Sequence, residues 1–261
     1  MSNDFSGKRI VVTGACGVIG QWIVEALHSA GAHLCITDAR TAELDALAAR
    51  LSLSEQSFVH TCDLTDAKSI QGLVDAVGNK WGAPDVVVNN AGIYPSGFLL
   101  DIDVAEWDQI FDINLRAPFA ITRGMALLMI REKVRGNIVN ISSGAARKMR
   151  RTVVPYCVSK TALDRLTKGF SLELAEYGIR VNALEPGFAA GSVVSQLTDD
   201  HINTVTNTIP LGRASSAKDV TDALFYLAGD NAGYVTGATL TVDGGNSAGV
   251  MTVFQDKRSA L

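Results

Sequence analysis

Cysteine and proline are scarce in this chain, charge of neither sign prevails, and no apolar run reaches the eighteen or so residues a membrane span requires. The four cysteines among 261 residues, Cys16, Cys35, Cys62 and Cys157, show no C-x-x-C spacing. A chain of this length does not need disulfide staples, so they read as reduced core thiols of a cytoplasmic protein, and no metal site is indicated. Lys plus Arg number 23 against 27 Asp plus Glu, and the net charge of -4 leaves no electrostatic footprint for nucleic acid. The first residues, MSNDFSGKRIVV, lack the basic segment and apolar core of a secretory signal, and a membrane partner is not expected. With only six prolines and no Pro/Gly-rich linker, one domain over 1–261 is expected, with 246–261 as a tail beyond the last strand.

What the chain does have is apolar content of 47% and 24 glycines, enough to bury roughly three quarters of its unfolded surface. Short β-branched runs alternate with amphipathic stretches from end to end. Strands are predicted at Arg9-Thr13, His33-Thr37, Ser57-Cys62, Asp85-Asn89, Gly136-Ser142, Arg180-Glu185 and Thr239-Val242. Their continuous apolar character suits parallel strands covered on both faces. Helical periodicity marks Val18-Ala30, Glu43-Leu51, Ala67-Trp81, Ala105-Arg131, Val158-Tyr177 and Ala217-Ala228, the last behind a Ser215-Ser216 cap. The pattern predicts an α/β fold of Rossmann type, a seven-stranded, doubly wound parallel sheet with helices on both faces.

The first strand runs into Thr13-Gly14-Ala15-Cys16-Gly17-Val18-Ile19-Gly20 and then a helix. In that setting glycines let a backbone turn approach a pyrophosphate, whose charge the helix N-terminus stabilises. Asp38 follows the second strand, where a carboxylate accepts bonds from the adenosine ribose hydroxyls. That placement favours NAD over NADP, because a 2′-phosphate would meet like charge, while Arg40 is the residue that argues the other way. Asp63-Leu64 and Asn89-Asn90-Ala91-Gly92 lie at further strand ends, where ligands bind in open α/β sheets. Asp63 also suits capping of the helix that begins near Ala67.

Beyond the fifth strand come Ser143 and then Tyr156-Cys-Val-Ser-Lys160, with Tyr156 and Lys160 four apart on one helical face. A free phenol titrates near 10, and a neighbouring ammonium favours its anion, so Lys160 is positioned to make Tyr156 a usable proton acceptor. The Ser143 hydroxyl is placed to hold a substrate oxygen against the phenol.

In this ordered set the sequence resembles the classical short-chain dehydrogenase/reductase family, from about Gly7 to Gly245. The resemblance implies a catalytic tetrad of Asn114, Ser143, Tyr156 and Lys160, with Lys160 also on the nicotinamide ribose and Asn114 supporting a proton relay. It implies cofactor contacts at Gly14, Gly17, Ile19, Gly20, Asp38, Asp63, Leu64, Asn90, Gly92, Tyr156, Lys160, Pro186, Gly187 and Ala189, and a homotetramer. Two departures stand out. Val18 occupies a position usually glycine, with Gly17 one place early, and the threonine usual after Pro186-Gly187 is replaced by Gly191 and then Ser192, the substitute expected at the cofactor.

The activity expected is hydride transfer between NAD(H) and a secondary alcohol or ketone of a small-molecule substrate. Arg147-Lys148-Met149-Arg150-Arg151 rims the expected cleft and reads either as solvated surface or, through Arg147 and Arg150, as a grip for an anionic substrate. Tyr94, Val153 and Phe188 fall where they would wall the pocket, and Ala189-Asn203 reads as a helical lid. Two other readings stay open. One is an epimerase or dehydratase that retains NAD, which the short stretch after Pro186 disfavours; the other is a non-catalytic nucleotide sensor, which the intact Ser143, Tyr156 and Lys160 disfavour.

Overall fold

Seven β-branched runs pair into one parallel sheet: β1 (Arg9–Thr13), β2 (His33–Asp38), β3 (Phe58–Thr61), β4 (Val86–Asn89), β5 (Asn137–Ile141), β6 (Arg180–Pro186) and β7 (Thr239–Val242). The structure, a computed structural model, describes residues 5–190 and 198–251. Strand order is β3-β2-β1-β4-β5-β6-β7, so the chain reverses direction of travel across the sheet between β1 and β4. That switch opens a crevice at the carboxyl ends of these two strands. The crossover helices are α1 (Val18–Ser29), α2 (Thr41–Leu51), α3 (Ala67–Trp81), α4 (Val104–Phe111), α5 (Ala117–Arg131), α6 (Val154–Leu174), α7 (Asp199–Thr206) and α8 (Ala217–Ala228).

Alternation along each strand divides the core into two layers. Ile10, Val12, Val86, Val88, Val139 and Leu184 pack under α1 and α8 with Ile23, Leu27 and Leu224. Val11, Val87, Ile138 and Val181 pack on the other face with Leu73, Val77, Ile121 and Met125 of α3 and α5. Each such side chain removed from water contributes about 1.5–3 kcal/mol, which is why both sheet faces are apolar.

Three features differ from the sequence expectation. The helix predicted over Ala105-Arg131 is interrupted by a π turn at Asp112–Arg116. Pro118 has no N–H to donate back along the ladder, and the widened turn accommodates that gap. Helix α6 begins at Val154 rather than Val158, since Pro155 is compatible with a first helical turn. Asp66, not Asp63, caps α3 by accepting from the N–H groups of Lys68 and Ser69. The continuous helical run Val104–Arg131 is long and apolar enough to cross a membrane, with mean hydropathy 1.2 over its best window. Its apolar residues Ile121, Met125 and Met129 are nevertheless packed against the sheet. The short helix α7 begins within the predicted lid and runs past its end to Thr206; residues 191–197 of the lid fall outside the described residues, as do 252–261 of the predicted tail.

Candidate active site

The loop after β1 is shaped by two glycines. Gly14 has φ +63°, and a Cβ there would lie 2.7 Å from the Ala91 Cα. A Cβ on Gly20 would lie 2.1 Å from the Gly14 carbonyl oxygen. Only hydrogen at Gly14 lets the β1 loop close on the β4 loop, and only hydrogen at Gly20 lets α1 close on the β1 loop itself. Asn90 ties the two loops further, donating from Nδ2 to the Thr13 and Gly14 carbonyls at 2.9 and 3.0 Å. Val18 is the first residue of α1, where a helical φ suits any L residue, and Gly17 is its N-cap with no side-chain bond to the free N–H groups. These donors, the crevice and the bare glycines fit a dinucleotide pyrophosphate. Ile19 and Leu64 pack, partly buried, against the two cores.

Asp38 stands at the end of β2, accepting from Cys16 N–H at 3.1 Å and from Arg40 Nε at 3.0 Å. Burial works against its carboxylate, but the bonds from Arg40 and Cys16 outweigh that and hold the pKa below the usual range. Arg40 is thus engaged by Asp38 and also by Glu43 at 2.7 Å. The Cys16 thiol beneath is pushed up to about 12, by burial first and by the Asp38 charge second. Asp63, exposed, folds onto its own loop by accepting from Thr65 N–H and Oγ1 at 2.9 and 2.7 Å.

Ser143 follows β5 and caps a 3₁₀ turn, Gly144–Ala146. Tyr156 stands in the first turn of α6, where the nearby Ser143 hydroxyl favours its phenolate. One turn on, Lys160 is 3% exposed and donates to the Ile141 carbonyl at 2.8 Å, with Nζ 5.8 Å from the Tyr156 ring centre. Burial pulls the Lys160 ammonium down to about 8, opposed by Asp164. Burial likewise raises the Tyr156 phenol above its ordinary value, against the Ser143 hydroxyl and the Arg150 charge. The sequence expectation of a phenol already lowered by Lys160 therefore does not describe this state of the pocket, where desolvation is the larger effect.

Asn114 sits inside the π turn, fully buried. Its Oδ1 accepts from Ile93 N–H at 2.9 Å, and Nδ2 donates to Ile93 O at 2.9 Å and Ser159 Oγ at 3.1 Å. A Cβ on Gly92 would lie 3.3 Å from Asn114 Oδ1 and 3.4 Å from Lys160 Nζ, so all four tetrad residues and the β4 loop converge on one pocket. The Tyr94 ring lies 5.8 Å from that of Tyr156 and forms a wall. Val153 precedes α6, and Phe188 follows Pro186-Gly187, its carbonyl accepting from Ser215 N–H at 2.8 Å. Ala189 ends the described part of that segment with its neighbour Ala190, and Ser192 lies outside the described residues.

A match to a family model described as enoyl-(acyl carrier protein) reductase covers residues 14–247. Over 239 residues the chain is 34% identical to the 3-oxoacyl-(acyl-carrier-protein) reductase of Haemophilus influenzae, covering 92% of this chain and 98% of that protein. The chain belongs to the short-chain dehydrogenase/reductase family. Among solved structures, a short-chain type dehydrogenase/reductase from Mycobacterium marinum is 30% identical with TM-score 0.86, covering 94% of this chain and 97% of that one. A gluconate 5-dehydrogenase from Burkholderia cenocepacia, in complex with NADP and tartrate, is 28% identical with TM-score 0.88, covering 95% and 98%. As a short-chain dehydrogenase/reductase, the protein is an oxidoreductase acting on CH-OH and C=O groups, in a family that uses nicotinamide cofactors.

The basic run of this short-chain dehydrogenase/reductase is less uniform than its sequence suggests. Arg147, expected to grip an anion, turns its Nε to the buried Glu185 at 2.8 Å. Lys148 donates to Asn246 O at 2.6 Å, and Arg151 lies 5.0 Å over the Phe98 ring. Arg150 has no carboxylate partner among the described residues, and its charge acts on the Tyr156 phenol. Sequence reasoning missed Glu185 and Asp164, which face Arg147, and Ser142, which faces Asp164. Two signals stood in the open: Asp164 is four residues beyond Lys160 on the same helical face, and Glu185 is a charge in an otherwise apolar strand.

Proposed function

We propose that the protein moves a hydride between NAD(H) and a secondary alcohol or ketone carbon, with Tyr156 as the acid/base and with a preference for substrates that carry an anionic group. The observation that carries the reading is the buried Lys160 ammonium 5.8 Å from the Tyr156 ring, with Ser143 beside the phenol. The cofactor would be held by Gly14, Gly17, Ile19 and Gly20 at the α1 N-terminus, by Asp38, Asp63, Leu64, Asn90 and Gly92 at the strand ends, and by Pro186, Gly187, Ala189 and Ser192 beyond β6. When bound, the nicotinamide supplies the hydride acceptor or donor. Ser143 orients the substrate oxygen and Tyr156 takes its proton in oxidation or returns it in reduction. The Lys160 charge stabilises the phenolate and its ammonium reaches the ribose, while Asn114 keeps the relay segment in place.

NAD is favoured because Asp38 is held ionised where a 2′-phosphate would add like charge. NADP is the second reading, supported by Arg40 beside Asp38 and by the NADP bound to the Burkholderia relative. Comparing kcat/KM for the two cofactors decides between them, and an NADP preference would reverse the assignment.

Arg150, rather than Arg147, is the cation that supports an anionic substrate, and the tartrate in the Burkholderia complex is of that class. A shallow apolar groove of about 460 Å³ lined by Phe111, Leu115, Phe119, Ala162 and Leu166 contains none of the catalytic side chains and supports self-association to a homotetramer. Four buried free thiols support a reducing, cytoplasmic setting.

The decisive experiment pairs anionic and neutral secondary alcohols, hydroxy acids, sugars and 3-oxoacyl thioesters with each cofactor, following reduced nicotinamide by absorbance. Tyr156→Phe should lower kcat by about 10²- to 10⁴-fold and leave cofactor affinity nearly unchanged. Near-native turnover in that variant would remove Tyr156 from its role.

A further inference from the structure

Behind the catalytic phenol, on the sheet face covered by α6, lies a polar cluster that the chemistry above does not use. Val181 packs on the face shared with α3 and α5, whereas Leu184 packs on the opposite one, so Glu185 points with Val181. It is fully buried. Glu185 Oε2 accepts from Arg147 Nε at 2.8 Å and from Thr241 Oγ1 at 2.6 Å, Thr241 being its register partner on β7. The Glu185 carboxyl also interacts with Asp164 of α6, which interacts in turn with Ser142 of β5. Lys160 faces Asp164 from one turn earlier on α6, and Arg147 faces it from the loop after β5.

Hydrogen counting exposes a deficit here. Glu185 Oε1, Asp164 Oδ1 and Ser142 Oγ are buried and form no hydrogen bond. Ionised carboxylate oxygens only accept, and the Ser142 hydroxyl, itself 3% exposed, has one hydrogen to give. Buried polar atoms are satisfied in folded proteins, so the set is one donor short. A proton on either carboxyl supplies it, bonding across to the other while Ser142 donates to the remaining oxygen.

We propose that Asp164 and Glu185 share one proton and act as a positioning pair, locking the Ser143 segment, through Ser142 and Arg147, to the helix that carries Tyr156 and Lys160. Burial, together with the Glu185 charge, pushes the Asp164 carboxyl above the usual carboxylate range, in the sense that a shared proton requires. The negative charge left on the pair stands behind the Lys160 ammonium and supports it against burial. The inference rests on the catalytic roles of Tyr156 and Lys160 proposed above.

The test compares Asp164→Asn with Asp164→Leu. Asparagine supplies the missing donor permanently and still accepts from Ser142; leucine removes donor and acceptor together. In the infrared, acidifying the native protein to about pH 5.5 should develop a protonated-carboxyl band that Asp164→Asn lacks. In ketone reduction, the native kcat should fall as pH rises through about 6 and the shared proton leaves, a limb that Asp164→Asn, whose amide keeps its donor, should lack. Asp164→Leu should lose about tenfold or more in kcat with cofactor KM unchanged, and asparagine should restore most of it. A native infrared spectrum without that band, or an Asp164→Asn profile superimposable on the native one, overturns the proposal. Should the leucine variant fail to fold, the band and the kcat profile of the asparagine variant still decide. If no substrate turns over at all, the catalytic reading fails while the infrared result still reports on the shared proton.

Discussion

Lys160→Met offers the sharpest test of the electrostatics behind the site, because its effect on stability should change with pH. In the native protein burial lowers the Lys160 pKa from 10.5 to about 8. Between these two values the unfolded chain binds a proton that the folded chain does not. Unfolding therefore takes up a proton in that window, and stability rises with pH across it, by about 3 kcal/mol at about 1.36 kcal/mol per pH unit. Methionine carries no charge, so its stability curve lacks this rise. Below about pH 8 the native protein carries the full cost of the buried ammonium, partly offset by the bond to Ile141 O at 2.8 Å. Loss of that bond costs the variant about 1–3 kcal/mol for an orphaned carbonyl. Near pH 7 the two proteins should accordingly lie within about 2 kcal/mol of each other, whereas near pH 10.5 the variant should be the weaker by about 1–3 kcal/mol. Urea titrations across this range read the difference directly. A gap between the two stability curves that does not change with pH would refute the buried-ammonium account.

Gly20→Ala should abolish cofactor binding, measured by quenching of protein fluorescence on titration with NADH, because its Cβ would lie 2.1 Å from Gly14 O. The backbone must move to admit it, at about 1–3 kcal/mol or more in stability. Asn114→Ala should lower stability by about 2–4 kcal/mol in denaturant titrations, since Ile93 N–H and Ile93 O both lose a buried partner. Thr152, in the loop before Tyr156, has φ +69°. Thr152→Gly should relieve about 1 kcal/mol of backbone strain, read as a higher Tm, and an unchanged or lower Tm would count against that strain.

The strands were legible because parallel strands buried on both faces are written as continuous β-branched runs such as Ile10-Val11-Val12 and Val86-Val87-Val88. Their observed ends fall within a residue of the predicted ones. The helix over 105–131 was harder, since an apolar periodicity persists through a π turn and only Pro118 hints that the hydrogen-bond ladder is broken there. Asp66 was overlooked as the α3 cap because two aspartates precede that helix, and which one caps depends on backbone geometry rather than residue type.

The catalytic set was legible for a different reason: each residue has its role by its place along the chain, after a strand end or one helical turn from a partner. Ser143, Tyr156 and Lys160 need no knowledge of the neighbouring strands. Charge pairing does need it. Arg147 looked free to meet a substrate because its partner, Glu185, lies 38 residues on and is brought beside it only by the pairing of β5 with β6. Arg40 likewise read as a cation open to a phosphate until the end of β2 set Asp38 against it. A basic run therefore cannot be assigned to a ligand by counting its charges. The buried acids that the fold turns toward it must be subtracted first, and in this chain the subtraction removes Arg147 from the candidate anion contacts and leaves Arg150.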